Sequence, residues 1–517
     1  MKKILFVTPP YHAGVVEVAG RWIPLQFVYL AGAARSVGFD AQIYDAMTKR
    51  VTIDDVEARI REVRPDYVAT SAITCTFPDA LEVMRAAKRV DPKITTIMGS
   101  IHATFMADEV FEEGRDAVDF VVAGEGEETI KEFLQSHSDG GNVENIPGLV
   151  FPRDGGLFRT PPRRFLDNFD RLPMAWDLLE WDDYTYFIFP GSRLGAVCTS
   201  RGCSKGCTFC SQQKFWHQMW RPRDPLAIVD EIEHLHKAHG VNVVLFTDDY
   251  PTQDRARWER FLDLMIERDL GVYILMETRV EDIIRDEDIL PRYRQAGIVH
   301  IYVGIEATDQ EMLELMKKEI SVDQSMQALR LLNDHGIITE TSMILGFPNE
   351  TPESIRRTLD LAKEYNPDFA HFLAITPWPY ADMYEELEPY IVTKDYRKYN
   401  LIDPVIKPKA MSTQEIDQAI VDCYKEFYMD KFREMKLSND PFKRDYLMTS
   451  MKLIMNNSFL KKKMGDLGTA PPEMLAAIKT IHPEVPPGST AEECPFHNFF
   501  KKPANTIRRL FGKNRAE

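Results

Sequence analysis

Between Met1 and about residue 138, short apolar runs alternate with amphipathic stretches of helical period. "KKILFVTPP", "AQIYDAM", "DYVATSAI", "TTIMGSI" and "DFVVAGEGE" read as strands, and "VTIDDVEARIREVRP" and "DALEVMRAAKRVDP" as helices between them. Five strands separated by helices predict a doubly wound parallel sheet over residues 1–138. Over 139–193 the rhythm breaks: Gly140, Gly141, Gly155, Gly156, Pro161 and Pro162 mark a linker or small subdomain. From Leu194 the alternation resumes with "LGAVCTS", "NVVLFTDD", "GVYILMET", "IVHIYVGIE", "IITETSMILGF" and "DFAHFLAIT". Six strand–helix units over 194–385 predict a partial parallel (βα)6 barrel, with chemistry at the strand C-terminal ends. Beyond 385 the strand signal stops, and "STQEIDQAIVDCYKEFYMDKFREM" opens a helical region over 386–517.

Composition narrows what this α/β architecture can do. The 517 residues are 44% apolar and 11% aromatic, enough for more than one core. No run of about 18 apolar residues occurs, so no bilayer span is expected. The apolar start ends at Pro9-Pro10 and reads as a buried first strand rather than a signal peptide, which suits a cytoplasmic protein. A net charge of −17 argues against a general nucleic-acid binder, whose phosphate contacts need clustered cations. The last 22 residues, "FHNFFKKPANTIRRLFGKNRAE", run the other way, with six basic side chains and one acid. With Ile507, Leu510 and Phe511 on one helical face, that tail reads either as frayed or as a peripheral membrane contact.

The predicted strand ends carry the first candidate site. Ser71 to Thr74, Gly99 to His102 and Gly124 to Glu127 supply small residues and polar groups on one edge of the first sheet. Glycines there either terminate strands or let a ligand approach the backbone. The aromatics of "AWDLLEWDDYTYFIF" suit packing of the linker, or a wall for a flat ligand.

Seven cysteines form no complete disulfide set, and three crowd into "RGCSKGCTFC" as Cys203, Cys207 and Cys210. Structural zinc is usually held by paired C-x2-C units closing a tetrahedron. C-x3-C-x2-C has no second pair downstream; Cys198 reads as a strand residue, Cys423 as a helix-packing thiol and Cys494 as a tail thiol. Iron–sulfur cubanes normally take four thiolates. Three from one loop leave one iron open, as a catalytic site requires.

That spacing, after the first barrel strand and with Phe209 before the last cysteine, resembles the radical S-adenosylmethionine enzymes. The resemblance implies that Cys203, Cys207 and Cys210 ligate a 4Fe-4S cluster whose open iron holds S-adenosylmethionine. It also implies that an electron from the cluster releases a 5′-deoxyadenosyl radical. Phe209 would lie against the adenine. Arg279 in "ETRVED" and Glu306 in "VGIEA" resemble groups that hold the cofactor's ribose and methionine parts, and read otherwise as barrel-rim ion-pair residues. The first domain then resembles the flavodoxin-like cobalamin-binding domain of the cobalamin-dependent branch. Its corrin cradle would comprise Ser71, Thr74, Gly99, Ile101, His102, Gly124, Glu125, Gly126 and Glu127, with His102 equally a loop-stabilising residue. Where many such domains carry Asp-x-His-x-x-Gly, this chain reads "DAMTKR", with Met47 for the histidine and Arg50 for the glycine. A cobalt without a histidine lower ligand is expected.

Within that branch "YHAGVVEVAGRW", "HATF", "GEGEET", "WDLLEWDDYTY", "CSQQKFW", "METRVEDI", "LAITPWPYADMY" and "YRKYN" resemble the anaerobic magnesium-protoporphyrin IX monomethyl ester cyclases. These form the isocyclic ring of (bacterio)chlorophyll with oxygen from water. The resemblance implies a magnesium-porphyrin substrate, covered by Trp181, Tyr184, Tyr186, Trp216 and Trp378. It also implies a reducing donor such as ferredoxin or flavodoxin. Asp248, Asp249 and Glu277 at strand ends are candidates for proton handling, or plain structural carboxylates. The alternative within enzymes is a cobalamin-dependent radical methyltransferase acting on an unactivated carbon. A non-catalytic sensor would need an output module, such as a basic DNA-binding helix pair, and the sequence contains none.

Overall fold

The computed structural model describes residues 1–12, 19–435, 440–457 and 463. The basic tail and Cys494 lie outside the described residues. The first sheet contains β1 (Lys3–Val7), β2 (Asp40–Tyr44), β3 (Tyr67–Ser71), β4 (Thr95–Gly99), β5 (Phe120–Val122), β6 (Leu149–Arg153) and β7 (Gly156–Arg159). Their order is β2-β1-β3-β4-β5-β6-β7. The first five strands pair in parallel, so the expected flavodoxin-like core is present. Alternation builds it: Ile4 and Phe6 enter one apolar layer, while Leu5 and Val7 enter the other. Helices then cover both faces, Leu25–Ser36 and Glu127–Ser138 on one side and Ile53–Val63 and Phe77–Val90 on the other.

The segment read as a linker does more than connect. Asp154 and Gly155 make the turn of an antiparallel hairpin, β6–β7, which extends the first sheet beyond β5. The hairpin is short, and its second strand is exposed at both ends and half-buried only at Leu157 and Phe158, so it shows no alternation.

The second sheet follows chain order without closing. β8 (Leu194–Val197), β11 (Val243–Phe246), β12 (Tyr273–Arg279), β13 (Ile298–Gly304), β14 (Ile338–Leu345) and β15 (Phe369–Ala374) are all parallel, with β8 and β15 as unpaired edges. Between β8 and β11 lies a two-residue antiparallel ribbon, β9 (Ser200–Arg201) with β10 (Arg221–Pro222). This is the expected six-stranded partial barrel. The helix Pro225–His239 shows how local rules start each unit: Asp224 accepts from Leu226 and Ala227 N–H groups, Pro225 opens the helix, and left-handed Gly240 closes it.

Two helices of the C-terminal region, Thr413–Met435 and Pro441–Asn457, seal the barrel floor. Tyr428 donates to the Ala370 carbonyl. Tyr446 meets His300 Nδ1 at 2.7 Å and the Tyr186 hydroxyl at 2.5 Å. Cys423 is a buried packing thiol of the first of these helices. The segment around Tyr396 returns to the first domain, where Tyr396 donates to Glu109 and Arg397 to Asp79.

Candidate active site

The three cysteines occupy a loop anchored at both ends. Gly202 enters it at φ +88°, and a Cβ there would stand 2.1 Å from the Met219 carbonyl oxygen. Only glycine fits so close an approach. Beyond it, Thr208 N–H donates to the Met316 carbonyl, and the Thr208 carbonyl accepts from Met383 N–H. Cys207 is buried, while Cys203 and Cys210 are half-buried. Burial raises the Cys203 thiol and pushes Cys210 up to about 12, so these sulfurs stay protonated unless a cation compensates them. Among the described residues no three His, Cys, Asp or Glu side chains converge as one bound ion would require. Three thiols on one short loop, with no second C-x2-C pair in the sequence, suit an iron–sulfur cluster.

The neighbouring strand ends face this loop. Arg279, last in β12, brings Nη1 to 4.0 Å from the Cys207 sulfur, pairs with Glu281 at 2.9 Å and donates Nη2 to the Lys318 carbonyl. Glu306, just past β13 at φ +70°, accepts from Lys318 Nζ at 3.0 Å and from Ser342. Arg279 and Glu306 are therefore not paired with each other; Lys318, buried, joins them through its carbonyl and its amine. Lys318 also stands 5.9 Å over the Phe209 ring, bringing all three expected S-adenosylmethionine positions into one cluster. It had no signal in the sequence, where "MKKEI" looks like solvated surface.

The three acidic candidates separate. Asp248 is buried as a loop fastener, accepting from Thr199 N–H, Thr199 Oγ1 and Ser200 Oγ. Asp249 opens onto the cavity described below. Burial and neighbouring Asp248 push it up to about 7, against the pull of the Trp216 indole. Glu277, half-buried in β12, is pushed up to about 8 by burial and by Asp249 and Glu306. Two carboxyls poised near neutrality can take up or release protons.

A cavity of about 370 Å3 lies between the two domains. Ser71, Gly99 and Gly124 to Glu127 line it from the first sheet, and Arg201, Gly202, Trp216 and Asp249 from the barrel. Gly124 has φ +78° with no atom within 4 Å of where a Cβ would point, leaving open space along the wall. Tyr29 also lines the cavity; its hydroxyl is buried without a hydrogen-bond partner. Such a donor calls for a polar ligand atom or a water. An amide-rimmed corrin fits these features.

Three expected cradle positions lie outside the lining of this cavity: Thr74, Ile101 and His102. Thr74 is buried against the Tyr380 hydroxyl at 2.8 Å. His102 is fully buried, stacked on Phe77 at 4.4 Å and edge-on to Tyr396 at 5.3 Å, and burial lowers it to about 3. Its Nδ1 meets Thr74 Oγ1 at 3.3 Å and its Nε2 lies 3.8 Å from Glu109, contacts that suit the loop-stabilising of the two readings. Ile101 is buried in the same short helix, Ser100–Phe105.

The five aromatics expected to cover a flat substrate are dispersed. Trp181 stacks on His239, Tyr184 donates to Asp45, and Tyr186 is buried against Tyr446. These are packing residues, and Trp216 alone of the five borders the cavity. In "DAMTKR", Asp45 caps the helix Ala46–Lys49 and also accepts from Thr8. Arg50 takes the left-handed conformation, φ 52°, that suits the glycine of the related motif.

Comparison with known proteins assigns both domains to families. Residues 197–362 match the Radical SAM superfamily, and residues 11–134 match the B12 binding domain. The anaerobic magnesium-protoporphyrin IX monomethyl ester cyclase of Rubrivivax gelatinosus is 38% identical over 472 residues, covering 90% of this chain and 84% of its own. An uncharacterized methyltransferase of Pyrococcus horikoshii is 31% identical over 434 residues, covering 83% of this chain and 92% of its own. Among solved structures, the radical S-adenosylmethionine methyltransferase TsrM of Kitasatospora setae, with cobalamin and a 4Fe-4S cluster bound, superposes with a TM-score of 0.65. It is 18% identical and covers 82% of this chain and 89% of its own, a likeness of fold.

Proposed function

The chain belongs to the cobalamin-dependent radical S-adenosylmethionine enzymes that include the anaerobic magnesium-protoporphyrin IX monomethyl ester cyclases, and from that premise we propose that it closes the isocyclic ring of this porphyrin ester with oxygen from water. The carrying observation is the extent of the likeness to the Rubrivivax cyclase, 38% across nine-tenths of the chain. The bound cofactors supply a carbon-centred radical and further one-electron chemistry. A low-potential donor such as ferredoxin or flavodoxin feeds the cluster.

The chain's own residues hold and tune. Cys203, Cys207 and Cys210 carry the cluster, and Arg279 sets a positive charge beside one sulfur. Phe209, Glu306 and Lys318 frame the place for S-adenosylmethionine. Asp249 and Glu277 take the protons that oxidation of a side chain releases. Met47 in the motif position supports a cobalamin held without a histidine ligand.

A second reading has its own support in the 31% identity to a protein named as a methyltransferase. Anaerobic turnover with magnesium-protoporphyrin monomethyl ester decides between them by product mass. The cyclase adds an oxygen and removes hydrogens; a methyltransferase adds a carbon. Deoxyadenosine formed beside unchanged porphyrin would overturn the cyclase reading.

A further inference from the structure

The two domains are fastened at one point by four buried charges that the reaction chemistry leaves unassigned. Glu125, in the loop after β5, accepts from Arg201 Nη1 at 2.8 Å, from Arg221 Nη2 at 2.8 Å and Nη1 at 3.0 Å, and from Leu166 N–H at 2.7 Å. Arg201 turns its other nitrogen to Glu127 at 2.7 Å. One guanidinium thus bridges both glutamates of the loop, and one glutamate bridges both arginines. All four side chains are nearly buried, with Arg221 the most exposed at 12%. Aromatic faces sheathe the cations: Phe169 and Tyr29 over Arg201, Phe165 and Trp216 over Arg221.

Two features show that this arrangement serves geometry. Arg201 and Arg221 are direct partners across the β9–β10 ribbon, where like charges repel. Glu125 between them makes the pairing tolerable. A buried ion network also gives little net stability over a well-packed apolar core, but its directional bonds permit one arrangement of the groups. Its location supplies the reason: Glu125, Glu127 and Arg201 all line the inter-domain cavity. Arg201 is followed by Gly202 and then by Cys203.

We propose that Glu125, Glu127, Arg201 and Arg221 form a clamp that fixes the cluster loop at a set distance from the cobalamin cavity, acting as positioning residues for the two cofactors. The proposal rests on the presence of both cofactors and is independent of the substrate.

The test is the dipolar coupling between the one-electron-reduced cluster and cob(II)alamin, read by pulsed electron paramagnetic resonance on the full chain. Wild type gives one sharp distance. Arg201→Lys keeps the charge but loses the rigid planar fork that sends one bond to each carboxylate in a fixed direction. It is expected to load both cofactors and lose the sharp distance to a broad distribution. If Arg201→Lys does not fold, Glu127→Gln removes one charge of the clamp, leaving Arg201 only a neutral acceptor there, and is expected to broaden the distribution less. As a control, Arg285→Lys breaks contacts to Asp282 and Asp286 inside the barrel and should leave the coupling sharp. An unchanged sharp distance in a fully loaded clamp variant overturns the clamp. Broadening in the control to the same degree also overturns it. Wild-type protein that binds only one of the two cofactors would instead overturn the cofactor reading beneath it.

Discussion

Arg279 holds its guanidinium 4.0 Å from the Cys207 sulfur. Cys207 in turn lies 3.9 Å from the Lys317 carbonyl, so the sulfur sits between a positive group and a backbone dipole. Replacing Arg279 with Met removes the charge while keeping a similar length of apolar stem. Deoxyadenosine formation is expected to slow roughly 10- to 100-fold, the scale of a lost charge-assisted contact. Iron content per chain distinguishes slowed chemistry from a lost cluster.

Gly202→Ala tests the loop's entry. The new methyl meets the Met219 carbonyl, and φ +88° is strained for alanine. The local cost is on the order of 3 kcal/mol. The expected product is a folded chain that takes up cobalamin but little iron, checked by metal analysis and visible absorbance.

Glu277 gives a pH prediction of definite sign. Its carboxyl is raised to about 8 in the folded apoprotein by burial, Asp249 and Glu306. The unfolded value is about 4.3. The folded state therefore holds the proton longer, and stability falls as pH rises from about 4 to about 8. Glu277→Gln removes that loss, so the apo variant should melt above wild type at pH 8.5 and converge with it near pH 4. In the loaded enzyme the same variant should still form deoxyadenosine but lose ring-closed product.

Glu340 gives the opposite sign at the barrel floor. Burial alone would raise it, but His300 at 2.8 Å and His371 at 2.5 Å hold it well below the usual carboxylate range. Its contribution is present above the unfolded value of about 4.3 and is lost as pH falls towards the lower folded value. Wild type should thus lose more stability than Glu340→Gln between pH 5 and pH 3, by thermal melts.

Much of the architecture was legible because it rests on local rules. Strands such as "KKILFV" and "NVVLF" are buried on both faces and read as continuous apolar runs, and the cysteine spacing is self-contained. What escaped depends on contacts between distant segments. Lys318 looks like surface until the Glu306 strand end meets it, and Arg201 and Arg221 look solvated until the "GEGE" loop docks. His102 and Tyr184 were legible as polar or aromatic residues, but their roles follow from the layers packed over them. Hairpin β6–β7 was hidden because its outer strand has only four residues, with the two half-buried ones adjacent, and shows no alternation.

The most direct test of the central claim is electron paramagnetic resonance of anoxically reconstituted, reduced protein before and after adding S-adenosylmethionine. A cluster of roughly four irons on three thiolates leaves one iron open. The spectrum should shift on addition, and deoxyadenosine should follow under reduction. A mononuclear zinc, or a cluster whose spectrum ignores the nucleotide, would contradict the account.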